Sequence, residues 1–427
     1  MKKLLILGSS NGTMAIIKYA KSRGIYTIVT DYLDPHLSSA KQIADEYWMI
    51  NTNNIDALEK KALESSVTAV TAGVSGFNLI KAMELADRLG LKFYCTKEAW
   101  DLTGDGDKSE FKRICRECGA PVAKDYFLPD NFSDKDAEDV IFPVVVKPVD
   151  CGGNVGISFC NNIDELRDAY KLVREVSDNP HIICERMLHG EEWYSSYAIV
   201  NGNVRFLALN AMYSEPGFPS CCYVLTTTVA NHIEQYLEEV NPQIEEVLRR
   251  IGCTNGYAWV QVMHDQDGHF YVIEMGYRFD ADLMFLTYKD LIGFDPVAAM
   301  IDFQCDIQDE SHLPASQRHA FKRCGNGFML WTKKTCTISS IEGIENLQAL
   351  MPDAYIDVWR HPGDSVAQHK AIAAIAFCTD DCENLCRSIE LINSTVHVFD
   401  ENGEDIIIKY TNFDYLKKVY YEGLAGK

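Results

Sequence analysis

The run VVVKPVDCGGNVGIS at 144–158 joins a β-branched apolar segment to one lysine, a proline and a loop with three glycines. A buried strand carrying Lys147 places an ammonium where it is destabilising unless an anion meets it. Gly152, Gly153 and Gly156 let backbone N–H groups approach oxygens that side chains would hold off. Together these features point to a phosphate site. Other groups able to do chemistry follow in order: Lys108 at the start of a helix-like run, the acidic turn GEEW with Glu191 and Glu192, and Arg278. The hairpin WVQVMHDQDGHFYVIEMGYR turns at Asp267-Gly268 and brings Gln261 and Glu274 to one face. Their oxygens are hard donors of the kind magnesium takes. Plainer readings stand beside these: a surface lysine at 108, a solvated turn at Glu192, and an Arg278 paired with Asp280 or Asp282.

The elements that must position these groups are legible from periodicity. Over 1–97, KLLILG, YTIVTD, TAVTAG and KFYC read as strands, separated by amphipathic helices at TMAIIKYAKSRG, IDALEKKALESS and GFNLIKAMELADRLG. Strands alternating with helices imply βαβ units, a parallel sheet and a Rossmann-like domain. Gly8 and Gly12 sit at the first strand-to-helix turn, and Asp31 closes the second strand. An acid in that place can hold a ribose, but GSSNG lacks the middle glycine of GxGxxG, so a dinucleotide site is the less favoured reading. From 98 onward come the loop DLTGDGDK, a compact α+β unit containing FPVVVKPV, DELRDAYKLVREVS and HIICERML, and then a larger antiparallel section. A last α+β segment over 310–427 includes a hairpin expected at VHVFD-ENGE-DIIIKY.

The chain has 427 residues and a formal charge of −22. At about 150 residues per domain, that length suggests roughly three domains. The acidic balance argues against nucleic acid and anionic membranes as partners. The apolar run in MKKLLILG is too short for a secretion signal and reads as a first strand. No stretch approaches the roughly 18 apolar residues of a membrane span, so a cytoplasmic protein is expected. Fifteen scattered cysteines, including Cys115-x-x-Cys118 and adjacent Cys221 and Cys222, are read as reduced and packed, with no Cys/His metal cluster.

In order and spacing, Lys108, Lys147 with its glycine loop, ERMLHGEEW and the QVM/EMGYR hairpin resemble the ATP-grasp superfamily, in its carbamoyl-phosphate synthetase, biotin carboxylase and L-amino acid ligase branch. The resemblance implies three parts: a Rossmann-like pre-ATP-grasp domain over 1–97, an ATP-grasp domain of two α+β subdomains over 98–309 with a lid at about 122–187, and a small α+β domain over 310–427. It implies ATP and Mg²⁺, with Mn²⁺ as a substitute. Lys108 and Lys147 would contact phosphates under a lid made by Gly152, Gly153 and Gly156. Glu185 and backbone groups near Arg186 and Leu188 would bind the adenine edge, and Glu192, with Glu191 as a competitor, the ribose. Gln261 and Glu274 would ligate magnesium, and Arg278 would grip the transferred phosphate or the intermediate's carboxyl. Here the sequence departs from the family's E-x-N-x-R: Gly276 stands at the asparagine position and offers no ligand atom, so water, Asp280 or Asp282 would have to supply one.

The activity so implied is a carboxylate–amine or carboxylate–thiol ligase working through an acyl phosphate and releasing ADP and phosphate, with small-molecule acid and amine substrates. Two alternatives stay open: a bicarbonate-phosphorylating enzyme, and a non-catalytic ATP-binding protein of the same fold. Homodimers are common in the resembling enzymes, and nothing in the sequence excludes a monomer.

Overall fold

The computed structural model describes residues 1–9, 11–151, 155–219, 222–307, 313–314, 321 and 323–425. Gly152, Gly153 and Cys221 lie outside the described residues.

The N-terminal strands Lys3–Leu7, Tyr26–Thr30, Glu46–Trp48 and Ala69–Ala72 form one four-stranded parallel sheet. The first of them is central, and its Leu4 to Leu7 are fully buried, as a continuous apolar run in a parallel sheet requires. Two details differ from the sequence reading. Glu46–Trp48 adds an edge strand, and KFYC forms no strand. Instead Tyr94 is buried, donates to the Tyr277 carbonyl at 3.1 Å and stacks edge-on against the Tyr277 ring. Tertiary packing overrides a short β-rich signal there.

Strands Val144–Pro148, Ser158–Cys160 and Ile182–Arg186 make a small antiparallel sheet, covered by the helix Ile163–Val176. This unit has its own apolar cluster, including Tyr126, Phe132, Val144, Val146, Leu166, Val173 and Cys184, separate from the main core.

The main body is an eight-stranded antiparallel sheet. In spatial order its strands are Phe270–Gly276, Gly256–Asp265, Gly190–Val200, Asn203–Ser214, Tyr223–Thr227, Cys324–Trp331, Ala371–Thr379 and Tyr355–Val358. The last three lie beyond 310, so strands on either side of that expected boundary share one sheet. A further sheet joins Ser365–Val366, Cys336–Glu342 and His397–Asp400. The second arm of the expected C-terminal hairpin is not a strand. Ile406 and Ile408 are buried and donate to Val398 and Trp331, so this extended segment bridges two sheets rather than pairing with one. Among the described residues, no helix is long and apolar enough to cross a membrane.

Candidate active site

The site begins with a capped helix. Asp107 accepts from the N–H groups of Ser109 and Glu110 at 2.8 and 3.2 Å, which starts the helix Lys108–Glu117 at Lys108. Spacing of four residues puts Lys112 on the same face. Both lysines point inward, 7% and 2% exposed, toward Lys147 on the facing strand, which is 6% exposed. Lys108 Nζ donates to the carbonyls of Gly104 and Cys151, at 3.3 and 2.9 Å, and lies 3.9 Å from Glu274 Oε2.

Glu185 sits between the other two lysines. One carboxylate oxygen is 2.6 Å from Lys147 Nζ, and the other contacts Lys112 Nζ. Asp125, bonded to Arg116, is 3.6 Å from Lys112. Burial, then the positive charges of Lys112 and Lys108, hold Lys147 well below the ordinary lysine pKa, while Glu274 opposes this. Burial likewise depresses Lys112, and the carboxylate contact with Glu185 works against that depression. Lys112 has no signal in the sequence beyond its i+4 relation to Lys108.

Across the hairpin Gln261 is directly paired with Glu274, next to an irregularity at Gln261/Val262. Gln261 Nε2 donates to Glu192 Oε2 at 2.9 Å, so Glu192 shares this face. Glu191 instead bonds to Tyr415. The alternation of side chains along the strand thereby separates the two competing glutamates. Burial raises the Glu274 carboxyl; Lys108, Lys147 and Arg278 pull it down, and Asp105 pushes it up. Glu274 is therefore where the cationic groups converge.

Arg278 is held by neither Asp280 nor Asp282. Asp105 grips it with two bonds, at 2.8 and 3.1 Å, and its guanidinium lies 5.1 Å from the centre of the Trp259 ring. The glycines around Asp105 follow from close approach: a Cβ on Gly104 would lie 2.8 Å from the Met275 carbonyl, and one on Gly106 would lie 2.2 Å from that of Trp100. The loop TGDGD was visible in the sequence as glycine and aspartate; its partner Arg278 was not. Asp282 accepts from Tyr194 at 3.0 and 3.1 Å, and Asp280 from Tyr257 at 2.5 Å, both deep in the core. Burial and Asp282 push Asp280 well above the ordinary carboxyl range. Neither is turned toward Glu274 as a replacement ligand.

In the strand after Glu274, Gly276 faces Trp259 on the neighbouring strand. A Cβ at 276 would lie 2.5 Å from ring atoms Cε2 and Cζ2. The indole fills the space a larger residue would need, which is why no asparagine stands there.

At the hinge, the N–H groups of Arg186 and Met187 donate to Lys124 and Pro143. Among the described residues, the Leu188 N–H has no acceptor. The Arg186 side chain points elsewhere, bonded to Asp265 at 2.7 Å and stacked over Tyr271. Gly156 has φ 75°, and a Cβ there would meet Val176 at 2.8 Å, so conformation and packing both demand glycine.

The N-terminal turn is not a ribose site. Asp31 accepts from the N–H groups of Ser9 and Leu33, both at 2.9 Å, and pairs with Lys41 at 2.5 Å. Gly12 N–H donates to Asp357 at 2.8 Å and Asn11 to the Ala281 carbonyl, so the turn fastens distant segments together.

Among the described residues, no group of three His, Cys, Asp or Glu side chains could hold a metal ion. The Gln261–Glu274 pair nevertheless fits magnesium, because it supplies two hard oxygens and leaves the remaining positions of an octahedron to phosphate and water.

A family model described as the ATP-grasp domain matches residues 140–284. The N-terminal section of the carbamoyl phosphate synthase large chain from Aquifex aeolicus is 22% identical over 303 residues, covering 65% of this chain and 53% of that protein. The chain thus spans about half the length of that curated relative. Among solved structures, L-amino acid ligase from Bacillus licheniformis superposes with a TM-score of 0.71 at 17% identity, covering 94% of this chain and 99% of that one. The biotin carboxylase domain dimer of the 2-oxoglutarate carboxylase from Hydrogenobacter thermophilus, solved with MgADP, ADP and bicarbonate, gives 0.71 at 17% identity over 98% and 97%. Residues 140–284 thus match the ATP-grasp domain model, and the fold is that of the two solved structures.

Proposed function

We propose that this protein is an ATP- and magnesium-dependent ligase that activates a carboxylate as an acyl phosphate and transfers the acyl group to an amine or thiol, releasing ADP and phosphate. The observation carrying this reading is the convergence of Lys108, Lys147 and Arg278 on the half-buried Glu274, with Lys108 at 3.9 Å. Such groups stabilise the charge spread over a transferring phosphoryl group, and positioning plus charge neutralisation is most of what that chemistry requires. Lys147 and Lys108 hold the phosphates, with Glu185 held between Lys112 and Lys147. The Leu188 N–H and Glu185 meet the adenine edge, and Glu192 the ribose. Gln261 and Glu274 would hold magnesium, which supplies charge neutralisation at the phosphate oxygens. Arg278, fixed by Asp105 and by its bond to the Phe279 carbonyl, presents its two remaining N–H groups to the phosphoryl group or the acyl carboxyl. The unit at about 122–187, with its separate apolar cluster, acts as the lid, and water exclusion beneath it protects the acyl phosphate.

The bicarbonate-phosphorylating reading is favoured by one finding, the similarity to a carbamoyl phosphate synthase large chain. Both readings predict ADP. Incubation with Mg-ATP and separate pools of carboxylates, amines, thiols and bicarbonate distinguishes them by which pool drives ADP release. Formation of AMP and pyrophosphate would refute both.

A further inference from the structure

The chain's six tryptophans include a half-buried one beside the site whose Nε1 is itself buried and has no acceptor among the described residues: Trp259. Three others have theirs, Trp48 on Glu46 at 2.7 Å, Trp331 on the Tyr223 carbonyl at 2.7 Å and Trp359 on the Ala371 carbonyl at 3.2 Å. Native structures seldom leave a buried donor unpaired, so an orphan of this kind calls for a partner that arrives later. Its place says what kind. Nε1 lies 2.8 Å from where a Cβ of Gly276 would be, over the strand between Glu274 and Arg278. Trp259 also alternates onto the same face as Gln261, two residues on. The neighbouring cations, Arg278 on the ring and Lys108 by Glu274, select for an anionic acceptor.

We propose that Trp259 is a binding residue for the transferring phosphoryl group: its Nε1–H donates to a non-bridging phosphoryl oxygen, and its ring face seats Arg278. This rests on the ATP-dependent reading above. Gly276 is then part of the same device, since only the absence of a side chain lets the indole reach across the strand. No bond is made or broken by the indole; it acts as a fixed neutral donor that adds no charge beside Glu274.

The test uses the full chain with isotope-labelled tryptophan, the Trp259 indole signal being assigned from Trp259→Phe. Mg-ADP and Mg-β,γ-methylene-ATP are titrated in turn, with calorimetry alongside. The indole signal should shift with the methylene analogue and stay in place with Mg-ADP. Trp259→Phe keeps a ring for Arg278 and should bind the analogue about tenfold or more weakly, as for loss of a bond to a charged group, with Mg-ADP affinity within about twofold. If the analogue binds while the indole signal is unmoved, or if Trp259→Phe binds it as well as the parent, the role of Trp259 is refuted and the ATP site stands. The signal on the unmodified protein decides this even where the variant folds poorly. If neither nucleotide binds, the ATP reading falls and this inference with it.

Discussion

Gly276→Ala is the smallest change that tests how the site is built. The added methyl carbon would lie 2.5 Å from two atoms of the Trp259 ring, against an ordinary carbon contact of about 3.5–4.0 Å. The ring must retreat by about 1 Å or more, and it carries Arg278 at 5.1 Å on its face. Overpacking of this kind costs about 1–3 kcal/mol. Trp259→Ala removes the ring, and with it the clash, so the methyl at 276 should then be nearly neutral. The two changes should therefore couple favourably by about 1–3 kcal/mol in a double-mutant cycle, within the range seen for residues in contact. Urea unfolding followed by far-ultraviolet circular dichroism measures this without relying on the deleted tryptophan. Gly276→Ala as stable as the parent, with additive effects in the double variant, would mean that the indole does not lie across the glycine.

Glu185→Gln, which strips a carboxylate from two buried lysines, should destabilise by about 3–5 kcal/mol, and Lys112→Met by less because Lys147 still faces Glu185; equal or reversed urea midpoints would contradict the shared-carboxylate geometry. Lys147 is depressed in the free protein, and phosphate would restore its ordinary pKa. Mg-ATP binding should thus take up protons and weaken as pH rises from the lowered pKa toward about 10.4; calorimetry in buffers of different ionisation heat reads the uptake, and Lys147→Arg should flatten the profile. Burial raises the Asp357 carboxyl to about 6, against the bond from Gly12. The folded chain then holds that proton more tightly than the unfolded one, so this residue's contribution to stability is present below pH 4 and declines by about 3 kcal/mol as pH rises through 6. Asp357→Asn should remove that decline, measured as the difference between variant and parent at acid and neutral pH.

The parts that were legible in the sequence are those with a local signature. A lysine inside VVVKP is conspicuous because apolar neighbours announce its burial, and an Asp-Gly turn announces the hairpin, although it is the irregularity at Gln261/Val262 that shifts the register to set Gln261 opposite Glu274. Strand alternation bears on the choice between Glu191 and Glu192 once the neighbours are known, and those neighbours come from distant segments. Asp105 and Trp259 escaped notice because their roles exist only through partners far along the chain: Asp105 meets Arg278, and Trp259 meets a gap left by Gly276. Lys112 looks like any helix-surface lysine until Glu185 is brought against it. The same reason explains KFYC and DIIIKY, where β-rich residues are buried by neighbouring segments instead of pairing as strands.

On the proposed function, this chain spends ATP to activate an acid. The most direct measurement is ADP and phosphate release from Mg-ATP in the presence of pooled carboxylates with amines, run beside Glu274→Gln. ADP and phosphate should appear in equal amounts, dependent on one acid pool and lost in the variant. AMP with pyrophosphate, or release that Glu274→Gln leaves unchanged, would contradict it.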